Sequence, residues 1–181
     1  TALETDHGIL GGLICWEHWM PLARAAMHAK RETIHVAQWP WVRELHHIAS
    51  RHYAFEGQCF VLAAGSVLSK GDILEGYQSL GVESEAMGLL EAIPGEPDSW
   101  VMRGGSAVIG PDAKYVAGPV YDEACILYAD IDLDCIPEGH LTMDSDGHYA
   151  RPDVFRLEVN DQPQQRVIFR SERGRTGETQ P

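Results

Sequence analysis

The chain is 181 residues long, with 44% hydrophobic and 23% charged side chains, which suits one compact domain or one large piece of a bigger one. Its 18 Gly and 10 Pro are scattered without a period, which excludes a collagen-like or low-complexity chain. Fourteen Lys and Arg stand against 27 Asp and Glu, a formal charge of −13, and so acidic a surface argues against nucleic-acid binding.

The charge is uneven. Residues 66–146 carry 3 basic and 16 acidic side chains, the whole of the excess, and read as a solvated acidic rim. Four cysteines (Cys15, Cys59, Cys125 and Cys135) form no C-x-x-C pair and no dense framework. They point to reduced thiols and a cytoplasmic compartment rather than to a disulfide scaffold or zinc ribbon. No apolar run approaches the ~18 residues of a membrane span, and the opening T-A-L-E-T-D-H-G lacks the basic start and apolar core of a signal peptide. The absence of an initiator Met fits a processed chain or a fragment.

In chain order, Ile9–Ile14 is almost wholly apolar and predicts a strand buried on both faces. Pro21 opens a helix rich in helix formers, with cations in its last turn. Thr33–Ala37 predicts a second strand, stopped by Trp39-Pro40-Trp41. Val42, Leu45, Ile48, Ala49, His52 and Phe55 then recur at helical spacing and predict an amphipathic helix over 43–56, ended by Gly57. Cys59–Ala64 predicts a third buried strand. The alternation strand-helix-strand-helix-strand marks a parallel α/β unit with right-handed crossovers. Residues 66–104 read as a long acidic loop with a short helix at Glu83–Leu90. A hairpin follows, turning at Gly110-Pro111-Asp112, then a strand at Ile126–Ile131 and a short helix capped by Asp132. Residues 161–181 read as a flexible polar tail.

The chemistry concentrates in G-G-L-I-C-W-E-H-W-M-P-L-A-R, residues 11–24. A cysteine at the carboxyl end of a buried strand, just before a helix, stands on a strand-to-helix elbow. The tight turn lifts the sulfur from the sheet, and the helix N-terminus can favour its thiolate. Open α/β sheets bind ligands at that end of their strands.

This segment resembles the nucleophile motif of the nitrilase branch of the carbon–nitrogen hydrolases. Four later segments resemble successive nitrilase segments in the same order: I-H-V-A-Q-W-P, R-H-Y-A-F-E-G-Q-C-F-V-L-A-A-G, G-G-S-A-V-I-G-P-D and A-R-P-D-V-F-R-L-E-V-N. The resemblance runs from about residue 3 to 160. It implies an α/β fold forming part of an αββα sandwich. It also implies hydrolysis of a nitrile to a carboxylic acid and ammonia by a Glu, Lys and Cys triad, without metal or cofactor. The family's Glu, Lys and a supporting Glu lie before its Cys segment. Residues 1–160 are then expected to be the C-terminal half of such a domain, with only Cys15 carried over. The implied partners are a small nitrile, the N-terminal half and further copies in a homo-oligomer, a dimer or spiral. An amidase, a cyanide-hydrolysing relative or a non-catalytic half-chain are the alternative readings.

Around Cys15, the candidates for contacting substrate or supporting the nucleophile are Trp16, Glu17, His18 and Trp39. Glu17 is placed to orient or cap the turn rather than to act as a base. His18 reads as either a support of the nucleophile or a polar packing residue, and Trp39 and Trp41 as either a pocket wall or core. Lys30, Lys70 and Lys114 read as surface charges. Seven of nine histidines precede residue 53, but His46, His47 and His52 offer no i, i+4 pair, so a metal site is not expected.

Overall fold

A computed structural model describes residues 2–82 and 84–162. The expected tail lies almost wholly outside the described residues; Asp161 and Gln162, which are described, are exposed.

Strands β1 (Leu3–Thr5), β2 (Gly8–Ile14), β3 (Ile34–Trp39) and β4 (Phe60–Gly65) lie side by side. β2, β3 and β4 are mutually parallel, and β1 closes the edge antiparallel to β2. Helix α1 (Pro21–His28) makes the first crossover, with Pro21 opening it, and α2 (Glu44–Gly57) makes the second. The predicted βαβαβ unit is therefore present.

Beyond β4 the sheet turns antiparallel. The long strand β6 (Trp100–Ile109) pairs with β4 through its second half and with the short β5 (Val67–Ser69) through its first. Its other edge carries β7 (Tyr115–Tyr121), joined by the expected turn, which is closed by Gly110 N–H to the Lys114 carbonyl at 2.9 Å.

Register places one row of small side chains under the helices. Leu13, Ala37, Ala63 and Ala107 are cross-strand neighbours, and so are Gly11, His35, Val61 and Ile109. Alanines at 0–3% exposure leave room for α2 to sit close on the sheet. The opposite face carries Leu10, Ile34 and Phe60, then Gly12, Val36 and Leu62, then Ile14, Gln38 and Ala64. It was expected to be fully buried and is not: near the carboxyl ends of the strands Ile14 is 63% exposed, and Gln38 and Ala64 are open.

Four further expectations are corrected. Residues 126–131 form no strand, and Ile126 and Tyr128 are exposed; just beyond them Leu133 approaches Gly8, where a Cβ would stand 3.2 Å from Leu133 Cδ1. Residues 66–104 are not one loop: they hold β5, α3 (Lys70–Gln78), α4 (Ala86–Glu91) and the start of β6. Neither α3 nor α4 buries a residue, so their acidic side chains stay solvated. Helix α5 (Cys135–Thr142) starts after Asp134, while Asp132 accepts the Asp134 N–H at 3.0 Å just ahead of it. The left-handed residue that ends α2 is Gln58 (φ 49°), and Gly57 serves another purpose: a Cβ there would stand 2.4 Å from the His28 ring.

The buried face of α2 also differs from the predicted stripe. Leu45, Ile48, His52 and Phe55 face outward, while His46, His47, Ala49, Ser50, Tyr53 and Ala54 face the sheet. Most of these polar groups find partners: Ser50 accepts from Trp39 Nε1 at 3.1 Å, His47 Nε2 meets the Tyr121 hydroxyl at 2.9 Å while its Nδ1 stays unpaired, and Tyr53 donates to Glu32. Of the four thiols, all free, Cys59 is in the core, Cys15 and Cys135 are half-buried and Cys125 is exposed. No helix among the described residues is long and apolar enough to cross a membrane.

Candidate active site

Cys15 stands where the sequence places it, at the carboxyl end of β2, and it adopts φ +51°. A side chain in the left-handed region costs of order 1–3 kcal/mol and persists only where its surroundings hold it. The chain then runs through a five-residue 3-10 helix, Cys15–Trp19, before Pro21 opens α1. The long helix expected directly behind the sulfur is thus displaced by one short turn, whose dipole is correspondingly small.

Three side chains grip this elbow. Glu17 Oε2 accepts the Ile14 N–H at 2.8 Å, the capping role expected for it. His18 Nδ1 donates to the Cys15 carbonyl at 2.8 Å. Arg24 donates through Nη1 to the His18 carbonyl at 3.2 Å and through Nε to Glu56 at 2.6 Å. Against the burial that opposes its charge, hydrogen bonds from His28 and Arg24 hold the Glu56 carboxyl down at about 2. Glu17→Ala is expected to cost about 0.5–2 kcal/mol, as loss of a cap does, and to speed proteolysis at 14–20; unchanged urea unfolding would contradict the capping role.

His18 is 1% exposed. Its ring lies 4.5 Å from that of Trp39, and its Nε2 is 3.1 Å from His35 Nε2. His35 continues to Glu32 at 2.9 Å, and Tyr53 donates to the other Glu32 oxygen. Burial lowers the His18 pKa to about 4, outweighing the Cys15 carbonyl bond, Glu17 and Glu32, which favour its charge, while His35 adds to the lowering. The ring is neutral at pH 7. Its folded value lies below the ordinary 6.5, so its contribution to stability is fully present above pH 6.5 and is lost as pH falls toward 4. The unfolding free energy from urea titrations should rise with pH across that window by up to about 3 kcal/mol, and less so in His18→Asn; identical pH profiles for the two proteins would refute this.

The other candidates divide. Trp16 is 66% exposed at the elbow's outer side, open to a ligand or to another protein surface. Trp39 is in the core of this chain: at 2% exposure its ring is sandwiched between His18 and His46, each 4.5 Å away. It touches the nucleophile segment through His18. Trp41 carries the Arg43 guanidinium over its ring at 5.3 Å. Glu32, His35 and Tyr53 were not singled out in the sequence; the signal available was a Glu and a His three apart, flanking an apolar run. Lys114 pairs with Asp112 at 2.8 Å, and Lys70 donates to the Gly95 carbonyl at 3.0 Å. Lys30 and Lys114 lie toward the amino ends of the parallel strands, away from Cys15. Among the described residues no cluster of three His, Cys, Asp or Glu could hold a metal ion.

The carbon–nitrogen hydrolase family matches residues 1–138. An aliphatic nitrilase of Sinorhizobium fredii is 40% identical over 170 residues, 94% of this chain and 51% of that protein. A bifunctional nitrilase/nitrile hydratase of Lupinus angustifolius is 38% identical over 172 residues, 94% of this chain and 47% of its own length. Among solved structures, a Helicobacter pylori carbon–nitrogen hydrolase matches with TM-score 0.58 and 23% identity over 78% of this chain and 46% of that one. A nitrilase-superfamily member from Saccharomyces cerevisiae matches at 0.53 and 18%, over 86% and 47%. The chain spans about half the length of the curated relatives it matches. With the cysteine elbow, the parallel strands that carry it and a family match over three quarters of its length, this chain belongs to the carbon–nitrogen hydrolases.

Proposed function

We propose that the protein is a nitrilase and that this chain supplies its nucleophile half, Cys15 being the attacking thiol. The observation that carries the reading is a cysteine in left-handed backbone at the carboxyl end of a parallel strand, its carbonyl bound from the core side by His18. A nitrile carbon is a weak electrophile, so the thiol must first lose its proton to a base, here assigned to a Glu in the part of the protein outside this chain. The thiolate adds to the nitrile carbon, the C≡N electrons move to nitrogen, and that nitrogen takes the proton to give a thioimidate. A Lys from the same outside segment and backbone N–H groups stabilise the developing charge. Water adds and ammonia leaves, forming a thioester. A second water releases the carboxylic acid and restores the thiol. The scheme uses no metal or cofactor. A cytoplasmic enzyme working as a homo-oligomer completes the reading, in keeping with four free thiols.

A second product has support from one observation, the bifunctional name of the lupin relative. If the tetrahedral intermediate expels the sulfur instead of ammonia, the product is an amide. The test is to express residues 1–181 alone and together with the preceding half of a nitrilase as a second chain, then measure ammonia and amide from several nitriles. The chain alone should be inactive, since a missing base typically costs about 10²–10⁴-fold and a missing anion donor about 10²–10³-fold. Activity of the isolated chain, lost on Cys15→Ala, would mean that base and Lys lie within it. No activity in the paired chains would favour a non-catalytic half.

A further inference from the structure

Glu32 lies in the turn between α1 and β3, its side chain fully buried. It rests on Gly11: a Cβ there would stand 1.6 Å from Oε2. The first glycine of the nucleophile motif therefore leaves space for a carboxyl group rather than for a turn. His28 Nδ1 lies 3.8 Å from the same carboxyl.

Hydrogen-bond direction now counts protons. The Cys15 carbonyl can only accept, so His18 carries its hydrogen on Nδ1. The Nε2 of that neutral ring is an acceptor, so the hydrogen of the 3.1 Å contact belongs to His35 Nε2. His35 Nδ1 meets Glu32 at 2.9 Å, either donating to a carboxylate or accepting from a carboxyl. In both cases Glu32 and His35 share one proton and are neutral as a pair, while Tyr53 donates to the remaining oxygen.

We propose that Glu32 is a positioning residue for the nucleophile, acting through His35 and His18 to hold the Cys15 peptide in its left-handed turn. By engaging His35 Nδ1 it leaves Nε2–H facing His18, which leaves the Nδ1–H of His18 for the Cys15 carbonyl. Carbonyl and N–H point oppositely across a trans peptide, so anchoring the carbonyl inward turns the Trp16 N–H away from the core. That N–H is a first-turn donor with no intrahelical partner. Without Glu32, His35 and His18 can exchange tautomers and the anchor is lost in part of the population.

The effect on turnover rests on the proposed nitrilase reading; the proton positions do not. In the 15N-labelled chain, imidazole spectra should show hydrogen on His18 Nδ1 and on His35 Nε2. Glu32→Gln should keep both, since its amide donates to His35 while its oxygen accepts from Tyr53. Glu32→Ala should mix the His18 tautomers, whereas Tyr53→Phe, which disturbs the same cluster, should not. In the paired-chain enzyme Glu32→Ala should lower kcat by about 10²-fold with little change in KM, the scale of a small misplacement of reacting groups, and Glu32→Gln should restore most of it. An Nε2–H tautomer of His18 in the unmodified chain, or unaltered tautomers in Glu32→Ala, would overturn the proposal. If Glu32→Ala does not fold, Glu32→Gln decides: retained tautomers support the relay, and a switched His18 refutes it. Tautomers as stated with no nitrile turnover in any pairing would support the relay and overturn the nitrilase reading.

Discussion

Cys15→Ala in the paired-chain enzyme should reduce ammonia release by about 10⁴–10⁶-fold, because members of a catalytic unit fail together once the nucleophile is gone. Stability should be almost unchanged, since alanine occupies the same left-handed backbone at φ +51° with the same penalty. Cys15→Gly provides the sharper comparison. It should be equally inactive yet more stable than Cys15→Ala by about 1 kcal/mol, because glycine adopts this conformation without a Cβ clash. Changing Cys59 to Ser should instead cost stability and spare the chemistry, its thiol being fully buried and its ionisation strongly opposed by that burial. Cys15→Ala retaining more than a few per cent of activity would remove Cys15 from the mechanism.

Trp39→Ala should be the most damaging single change to the fold near the site, costing about 3–5 kcal/mol in urea unfolding. The ring is 2% exposed, packs on His18 and His46, and donates to Ser50 at 3.1 Å. Its removal leaves a cavity and an unpaired hydroxyl beneath the elbow. A native domain has only about 5–15 kcal/mol of stability, so this is a large share of it. Trp39→Phe keeps most of the packing and loses the N–H bond, and should cost about 1–2 kcal/mol. Near-normal stability with a raised KM would instead assign the ring to a substrate pocket.

Much of the scaffold was legible because it is written in local pattern. Ile9–Ile14, Thr33–Ala37 and Cys59–Ala64 are apolar runs of strand length, Pro21 marks a helix start, and Gly110-Pro111-Asp112 marks a hairpin. The placing of Cys15 on the elbow followed from those boundaries, and the grip of Glu17 from its position two residues on. What escaped is what depends on distant partners. Of the expected stripe Val42 and Ala49 do face the core, but Leu45, Ile48, His52 and Phe55 do not; α2 buries His47, Ser50 and Tyr53 instead, which bond to Tyr121, Trp39 and Glu32 from elsewhere in the chain. Periodicity cannot anticipate such pairings, since a polar residue counts against burial until its partner is known. Glu32 shows the same limit: a charged residue in a turn reads as surface, and its burial is explained by the gap above Gly11 together with its bonds to His35 and Tyr53. Residues 126–131 have the composition of a strand yet pair with none, and Ile126 and Tyr128 stay exposed.

The most direct measurement is peptide mapping by mass after the paired-chain enzyme has been mixed with a nitrile and quenched during turnover. A substrate-derived adduct is expected on the peptide containing Cys15, at the mass of a thioimidate or thioester, and none in Cys15→Ala. Ammonia release with the adduct on Cys59, Cys125 or Cys135, or with no adduct on any cysteine under conditions that trap the intermediate, would contradict it.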